Sequence, residues 1–298
     1  MSGVRTFEIT DEAFATALAH KATVHVSVCI PCRNEAATIG SIVGQIRRVL
    51  VEVERPWVDE LLVFDDGSAD ATTSVAREAG ASVVSVNDVL PEAGRSAGKG
   101  NVLWCSVAAS TGDVIVWCDG DLLSFTPSYV QRLLVPLLLD PSIAFVKGFY
   151  ERPLDAAGEG GGRNTELVAR PMLRLLFPEL ADVRQPLGGE YALRRSFAEM
   201  VAFAQGYGVE IGLLIDAFRS EGANAIVQVD LGVRRHRHRP LRELSLQATE
   251  ILHAMLVRAG VDGERLGHTA HVRVNERPPL VTVASYRAGS RDGRPAQH

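Results

Sequence analysis

The sequence predicts an α/β fold in which helices cover both faces of a mostly parallel sheet. Short apolar segments rich in β-branched residues alternate with segments of helical periodicity from residue 24 to residue 147. Groups of aspartate, asparagine and glycine follow several of the apolar segments, as expected where parallel strands end and ligands collect. The chain has 298 residues, which is enough for one large domain or two modest ones.

The elements follow in order from the same patterns. Residues 24–31 form an apolar run that ends at a proline, which predicts a buried strand. Isoleucine, valine and leucine recur every three or four positions over 38–53, which predicts a helix packed on that strand. Four further apolar runs predict strands over 60–65, 81–86, 113–118 and 143–147. Helical patterns predict helices over 69–80, which stops at a glycine, and over 99–110 and 127–139. Residues 166–253 mix helices with a strand over 225–229, and no segment repeats.

Composition and charge exclude several classes of protein. Hydrophobic residues make up 46% and charged residues 22%, which favours a folded chain over a disordered one. A net charge of −5 argues against a nucleic-acid-binding protein. No apolar run approaches the roughly 20 residues of a membrane helix, and the first ten residues lack the apolar stretch of a signal peptide. We therefore expect a cytoplasmic protein without membrane contact.

Lysine and cysteine are both rare, and their positions are informative. Of the 31 basic residues only Lys21, Lys99 and Lys147 are lysines. In a chain that uses arginine by default, a lysine inside a motif indicates a role for its compact charge, which favours Lys99 and Lys147. Cys29 and Cys32 form a C-x-x-C pair, but no second pair of cysteines or histidines at zinc spacing accompanies it. We interpret all four cysteines as reduced core thiols.

Three polar groups follow predicted strands, at residues 33–35, 65–68 and 119–121. Each group alone fits turn or helix-cap chemistry, but three at one sheet edge favour a binding site. Asp119 and Asp121 are spaced as carboxylates that suit a hard divalent cation, which in turn neutralises a diphosphate. Lys99 lies between two glycines before a helix, a setting that suits a phosphate. The spacings of the P-loop and of the dinucleotide fingerprint are both missing.

These groups resemble the nucleotide-sugar-binding half of GT-A glycosyltransferases. Residues 31–35 and 65–70 look like the N-terminal signature of that superfamily, and Asp119-Gly-Asp121 looks like its metal motif. Four later segments, 160–171, 185–192, 206–212 and 231–240, resemble the glucosyl-3-phosphoglycerate synthases of actinobacteria. The resemblance covers about residues 24–260 and implies a GT-A, Rossmann-like sheet with a C-terminal acceptor-binding part.

The resemblance also implies a division of the chain. Residues 1–23 would be an N-terminal extension, 24–150 the nucleotide-sugar-binding half and 151–260 the acceptor-binding and catalytic half. Residues 261–298 would be a C-terminal segment, with a disordered tail from 288. The glycine-rich stretch 155–163 is compatible with a plain connecting loop and equally with a mobile loop that closes on a ligand.

The activity implied is a retaining transfer of glucose from UDP-glucose, or another NDP-glucose, to the 2-hydroxyl of 3-phosphoglycerate by a homodimer. The implied metal is Mg²⁺ or Mn²⁺, held by Asp121 and His236. The implied donor-binding residues are Pro31, Arg33, Glu35, Asp66, Lys99, Asp119, Tyr207 and Arg234. The implied catalytic residues are Lys99, Leu187 and Glu210, and the implied acceptor-binding residues are Gly162, Arg163, Thr165 and His238.

The charge pattern near the C-terminal part agrees with an anionic acceptor. Residues 231–242 contain five arginines, two histidines and no acid, which is a local positive patch in a negative protein. A diphosphate, a phosphate and a carboxylate need such a patch. Arg235 and His238 depart from the family pattern, which has an acidic residue and an asparagine at these positions. The departures leave a different small anionic acceptor open.

Two mechanisms and three other functions remain as alternatives. Glu210 could be a nucleophile that forms a covalent sugar intermediate. We favour instead a front-face reaction, in which Glu210 holds a sugar hydroxyl and a phosphate oxygen takes the proton of the acceptor. The other functions are transfer of another sugar, such as mannose, or to another acceptor; a catalytically inactive nucleotide-sugar sensor; and a nucleotidyltransferase. The last needs a glycine- and arginine-rich loop after the first strand, which residues 31–35 do not supply.

Overall fold

The structure is a computed structural model that describes residues 3–151, 162–233, 241–262, 266 and 275–287, and only the backbone of 241–243. Within these ranges the strands are β1 (Arg5–Thr6), β2 (Val26–Cys32), β3 (Glu60–Asp65), β4 (Ser82–Ser85), β5 (Val114–Trp117), β6 (Phe145–Glu151), β7 (Tyr191–Arg194), β8 (Phe203–Ala204), β9 (Ile226–Val233) and β10 (Glu276–Arg277). The α-helices are α1 (Asp11–His20), α2 (Ile39–Ile46), α3 (Thr72–Glu78), α4 (Lys99–Ala109), α5 (Ser128–Leu139), α6 (Arg170–Leu176), α7 (Arg195–Ala198), α8 (Val209–Glu221) and α9 (Leu241–Arg258).

Eight strands form one sheet in the order β1-β9-β6-β7-β5-β2-β3-β4. Neighbouring strands run parallel, except that β7 is antiparallel to both β5 and β6. Strands β8 and β10 form a separate antiparallel pair. The mostly parallel α/β sheet expected from the sequence is therefore confirmed, with one antiparallel strand inserted at its centre.

Hydrophobic residues on the two faces of the sheet build two cores. Along β2, Val26, Val28 and Ile30 belong to one core, while Cys29 between them belongs to the other. This division follows from the alternation of side chains across a strand. Helices α1, α2 and α5 contribute to the first core, and α4 and α8 to the second. The sheet is thus covered on both faces, as a parallel sheet requires.

The predicted boundaries hold to within a few residues for the N-terminal elements. The helix predicted over 38–53 is an α-helix followed by a π-helical turn, Arg47–Val51. The strand predicted over 225–229 extends to Val233. Sequence reasoning missed β7 because its four residues, Tyr191–Arg194, are too few to show a period.

The sheet joins parts of the chain that the sequence analysis separated. Strand β1, from residues 1–23, pairs in parallel with β9, and α1 packs against α5. Strands β6, β7 and β9 continue the sheet formed by β2, β3, β4 and β5. The expected tail from 288 and most of the glycine-rich stretch 155–163 lie outside the described residues.

All four cysteines are buried with free thiols. Burial, with a smaller contribution from Glu60, raises the pKa of Cys29 to about 12. Burial likewise raises the pKa of Cys105 to about 11. A thiol in such surroundings is unreactive, which agrees with the interpretation as core residues. Across the described ranges, none of the helices combines the length and the hydrophobicity that spanning a membrane would take.

Candidate active site

The three polar groups meet at one edge of the sheet, because β5, β2 and β3 are neighbours and end at the same side. Hydrogen bonds join the loops that follow β2 and β3. The Asn34 amide N–H donates to Ser68 Oγ at 2.9 Å, and Ala69 N–H donates to Asn34 Oδ1 at 2.8 Å. Asn34 has φ +60°, a left-handed conformation that asparagine tolerates. The two loops therefore form one connected rim.

Four of the predicted donor-binding residues lie on this rim. Pro31 is half-buried near the end of β2, and Arg33 and Glu35 follow it. The Arg33 guanidinium lies 3.9 Å from the Asp66 carboxylate, and Asp66 N–H donates to the carbonyl of Cys32. A guanidinium and a carboxylate at one edge offer donors and acceptors to a base and a ribose.

The Asp119-Gly-Asp121 turn is closely packed. A Cβ on Gly120 would lie 2.5 Å from Cys32 Sγ, and a Cβ on Gly189 would overlap the Asp119 carboxylate. Thr38 Oγ1 donates to the Gly120 carbonyl at 2.6 Å. Glycines at these two positions therefore leave the space in which the Asp119 carboxylate is held at the end of β5.

Lys99 joins two carboxylates from distant parts of the chain. Its Nζ lies 2.6 Å from Asp119 Oδ1 and 2.6 Å from Glu210 Oε1. The side chains of Lys99 and Asp119 are 18% and 19% exposed, while that of Glu210 is only 4% exposed. Burial alone would lower the pKa of Lys99, but the charges of Asp119 and Glu210 outweigh burial and raise that pKa well above its usual value. Lys99 is therefore a permanent cation at this edge.

Close backbone contacts bring Lys99 and Glu210 together. Lys99 opens α4, and the next residue, Gly100, lies against the carbonyl of Ala204, where a Cβ would not fit. Asn101 N–H donates to the carbonyl of Gln205 at 3.3 Å. Residues 204–205 lead directly into α8, whose first turn carries Glu210. The start of α4 is thus packed against the segment that positions Glu210.

Tyr207 lies at the entrance to α8. Its amide N–H donates to the buried carboxylate of Glu250 at 2.7 Å, and Gly206 leaves the space for that carboxylate. The ring is half-buried, in the segment just before Glu210. Glu250, on α9, was not among the predicted residues, because a glutamate in a helical pattern gives no sign that it is buried.

Three buried polar residues beside Lys99 were also missing from the predicted set. Lys147 on β6 is fully buried, Tyr191 opens β7, and Glu190 precedes it. Lys147 Nζ donates to the carbonyl of Gly188 at 2.6 Å and lies 4.3 Å from the centre of the Tyr191 ring. The scarcity of lysine was the one signal in the sequence that pointed to Lys147.

The structure describes only some of the residues predicted to face the sugar or bind the acceptor. Leu187 is half-buried and packs on the core beside the glycines of 188–189. Gly162 and Arg163 are half-buried, whereas Thr165 is buried. Three further predicted residues, Arg234, His236 and His238, lie outside the described residues, as does Arg235.

The donor set fits a hard divalent cation. Asp121 offers carboxylate oxygens, the ligands that Mg²⁺ and Mn²⁺ prefer, at the end of β5. Among the described residues no group of three metal-binding side chains occurs, and the other predicted ligand, His236, lies outside them. At this edge the carboxylates of Asp119, Glu190 and Glu210 interact electrostatically with the ammonium groups of Lys99 and Lys147.

The fold and this site define the class of protein. The sequence profile of glycosyl transferase family 2 matches residues 27–188, more than half of the chain, so the chain belongs to that family. This match covers β2 to the segment before β7, including the rim, the Asp119-Gly-Asp121 turn and Lys99. The expected class, a glycosyltransferase of the GT-A type, is confirmed.

Within this class the chain is similar to glucosyl-3-phosphoglycerate synthases. It is 46% identical to that of Mycolicibacterium smegmatis over 282 residues, covering 89% of this chain and 92% of the relative. It is 40% identical to that of Petrotoga mobilis over 294 residues, covering 91% and 90%. The resemblance noted in the sequence is therefore confirmed over most of the chain.

Solved structures of a related enzyme also match this chain. The chain matches the Mycobacterium tuberculosis glucosyl-3-phosphoglycerate synthase in complex with Mn²⁺, uridine diphosphate glucose and phosphoglyceric acid, with a TM-score of 0.84 and 43% identity. The match covers 94% of this chain and 98% of that chain. The complex of the same enzyme with Mn²⁺, uridine diphosphate and glucosyl-3-phosphoglycerate matches with a TM-score of 0.85.

Proposed function

We propose that this protein transfers glucose from UDP-glucose to 3-phosphoglycerate in a metal-dependent reaction. The observation that carries the proposal is the position of Lys99, bound to Asp119 and Glu210 at the sheet edge where the rim, the aspartate turn and the start of α8 meet. The donor, the acceptor and the product class are those bound by the M. tuberculosis relative.

The donor half of the site stabilises the departing diphosphate. Lys99 stays protonated because Asp119 and Glu210 raise its pKa, so it offers a fixed positive charge where negative charge develops. A divalent cation held by Asp121 and His236 supplies further neutralisation of the diphosphate when it is bound. Pro31, Arg33, Glu35 and Asp66 hold the base and ribose, Tyr207 lies nearer the sugar, and Arg234 also binds the donor.

Glu210 orients the sugar and is not the nucleophile in this proposal. Its carboxylate is nearly inaccessible and lies 2.6 Å from the ammonium of Lys99, which stabilises it as a hydrogen-bond acceptor. An anion held so closely by a cation is a weaker nucleophile than a free carboxylate. The acceptor hydroxyl therefore attacks from the face that the diphosphate leaves, and a phosphate oxygen takes its proton.

The acceptor is bound by residues at the end of the glycine-rich stretch and by His238 of the basic patch. Gly162, Arg163 and Thr165 hold its phosphate and carboxylate, with His238. Asn164 supports this end of the segment, because its side-chain amide donates to the carbonyl of Leu244 on α9 at 3.1 Å. The segment at 162–165 is thereby tied to the helix that follows the basic patch.

The test is an end-point assay by mass spectrometry. Purified protein is incubated with Mn²⁺ or Mg²⁺, a panel of NDP-sugars and 3-phosphoglycerate, with glycerol 3-phosphate as a comparison acceptor. We expect a hexosyl-phosphoglycerate product that requires metal and, at the same metal concentration, is strongly reduced in Asp121→Asn. Hydrolysis of the donor without transfer would retain the glycosyltransferase class and overturn the acceptor. Transfer to glycerol 3-phosphate at an equal rate would show that the acceptor carboxylate is not recognised.

We further propose a homodimer in the cytoplasm. Leu167, in the π-helical turn Thr165–Ala169, is 74% exposed, and Leu175, in the following helix α6, is 76% exposed; large apolar side chains exposed to solvent favour an interface. Four buried free thiols agree with a reducing compartment. Light scattering after size exclusion tests the dimer: the double variant Leu167→Glu/Leu175→Glu should be a monomer. A monomeric unsubstituted protein would overturn it.

A further inference from the structure

Lys147 is a fully buried lysine in the middle of the sheet. It lies on β6, beside Tyr191 of β7 on one side and Gln228 of β9 on the other. Burying an ammonium group costs several kcal/mol unless its surroundings compensate. An apolar side chain of the same length would avoid this cost, so the ammonium group at this buried position indicates a specific role.

The ammonium group of Lys147 makes two contacts within the protein. Its Nζ donates to the carbonyl of Gly188 at 2.6 Å, and it lies 4.3 Å from the centre of the Tyr191 ring. The bond to Gly188 links residues 41 apart in the sequence. It joins β6 to a segment outside regular secondary structure, residues 187–190, which leads into β7.

Segment 187–190 is in contact with Asp119, one of the predicted donor-binding residues. It starts at Leu187, which the family resemblance places beside the sugar. Gly189 lies against the Asp119 carboxylate, where no Cβ would fit. The carbonyl of Glu190 accepts a hydrogen bond from Gly148 N–H at 2.9 Å, so the segment is held to β6 at two neighbouring points. A shift of the Gly188 carbonyl therefore displaces Leu187, whereas the Asp119 carboxylate is held separately by Lys99 at 2.6 Å.

The charge of Lys147 also belongs to the site. Burial lowers the pKa of Lys147 to about 8, and the charge of Lys99 contributes to this, while Glu210, Glu190 and Asp119 act in the opposite direction. The group therefore remains mostly protonated at pH 7. An ammonium in this environment makes a stronger hydrogen bond to a carbonyl than a neutral donor would.

We propose that Lys147 is a positioning residue for glucosyl transfer, which holds segment 187–190 through the Gly188 carbonyl and so places the sugar of the donor. The inference rests on the proposed function in naming glucose as the sugar, and on the family resemblance in placing Leu187 beside that sugar. It assigns Lys147 an effect on the sugar part of the donor and little effect on the nucleotide part.

The test compares Lys147→Met with Lys21→Met, a matched control. Lys21 is the other buried lysine of the described residues. Its Nζ donates to Asp59 at 2.6 Å. Asp59 directly precedes β3, at the end of the sheet away from the site. Calorimetry measures the binding of UDP and of UDP-glucose, both with Mn²⁺. We expect Lys147→Met to bind UDP-glucose roughly tenfold more weakly and UDP within about twofold of the unsubstituted protein. Lys21→Met should lose thermal stability and keep both affinities.

A second readout is catalytic. Lys147→Met should lower kcat for transfer about 100-fold. It should also raise the share of donor lost to hydrolysis, because a misplaced sugar meets water more often than acceptor. Equal losses for UDP and UDP-glucose, or no loss for either, would overturn the proposal. If Lys147→Met does not fold, Lys147→Arg takes its place, because it keeps the charge but moves the hydrogen-bonding nitrogen atoms. The same difference between the affinities for UDP-glucose and UDP is expected. Because the binding measurements need no acceptor, a failure to glucosylate 3-phosphoglycerate would leave this test intact.

Discussion

Replacing Gly100 by alanine should separate Lys99 from Glu210. A Cβ at this position would lie 1.6 Å from the carbonyl oxygen of Ala204, whereas ordinary contacts begin at 3.4 Å. The start of α4 and the segment before α8 must therefore move apart by about 1.8 Å. Because Lys99 and Glu210 are carried by these two segments, their separation of 2.6 Å should rise beyond the reach of an ion pair.

The variant should lose most of its activity while remaining folded. A displacement of about 1 Å in a catalytic group costs on the order of 100-fold in rate, so kcat/KM of Gly100→Ala should fall by at least that factor. Overpacking costs about 1–3 kcal/mol, which leaves a protein of ordinary stability folded. Steady-state transfer assays and urea unfolding measure the two effects.

Gly44→Ala is the matched control. Gly44 lies inside α2, and its Cβ would meet nothing closer than Arg48 Nη1 at 4.0 Å. Alanine favours a helix by up to about 1 kcal/mol over glycine, so this variant should be equally or more stable and fully active. If Gly100→Ala kept its activity within threefold, or were as stable as Gly44→Ala, the inferred packing of α4 on Ala204 would be wrong.

Three further predictions concern charge. Since burial lowers the pKa of Lys147 from 10.5 to about 8, the folded protein releases this proton at a pH where the unfolded chain keeps it. Between pH 8 and pH 10 the free energy of unfolding of the protein should therefore rise by ~2 kcal/mol relative to Lys147→Met, and a difference independent of pH in urea titrations would contradict this. Glu210→Gln should slow transfer by about 100-fold or more without abolishing it. Intact-mass spectra of the unsubstituted enzyme during turnover should show no covalently bound sugar. A glucosylated Glu210 would establish the covalent mechanism. Asp121→Asn should raise the Mn²⁺ concentration for half-maximal donor hydrolysis at least tenfold, and an unchanged metal titration would remove Asp121 from the metal site.

Much of the N-terminal half could be predicted because its signals are local. Hydrophobic periodicity predicted β3 with both ends correct and α4 to within one residue. The polar groups after β2, β3 and β5 were expected to meet, because parallel strands present their carboxyl ends at one edge. The hydrogen bonds between Asn34 and residues 68–69 agree with that expectation.

The sequence by itself determined most strands and helices of the N-terminal half and which residue types follow those strands. Only the tertiary structure decided that β7 enters the sheet antiparallel between β5 and β6, which brings Gly188 to Lys147 and Gly189 to Asp119. Likewise, the meeting of Lys99 with Glu210 depends on Gly100 lying against Ala204. Periodicity and turn chemistry depend on residues near in sequence, whereas these contacts depend on which distant surfaces pack together, and no local pattern encodes that choice.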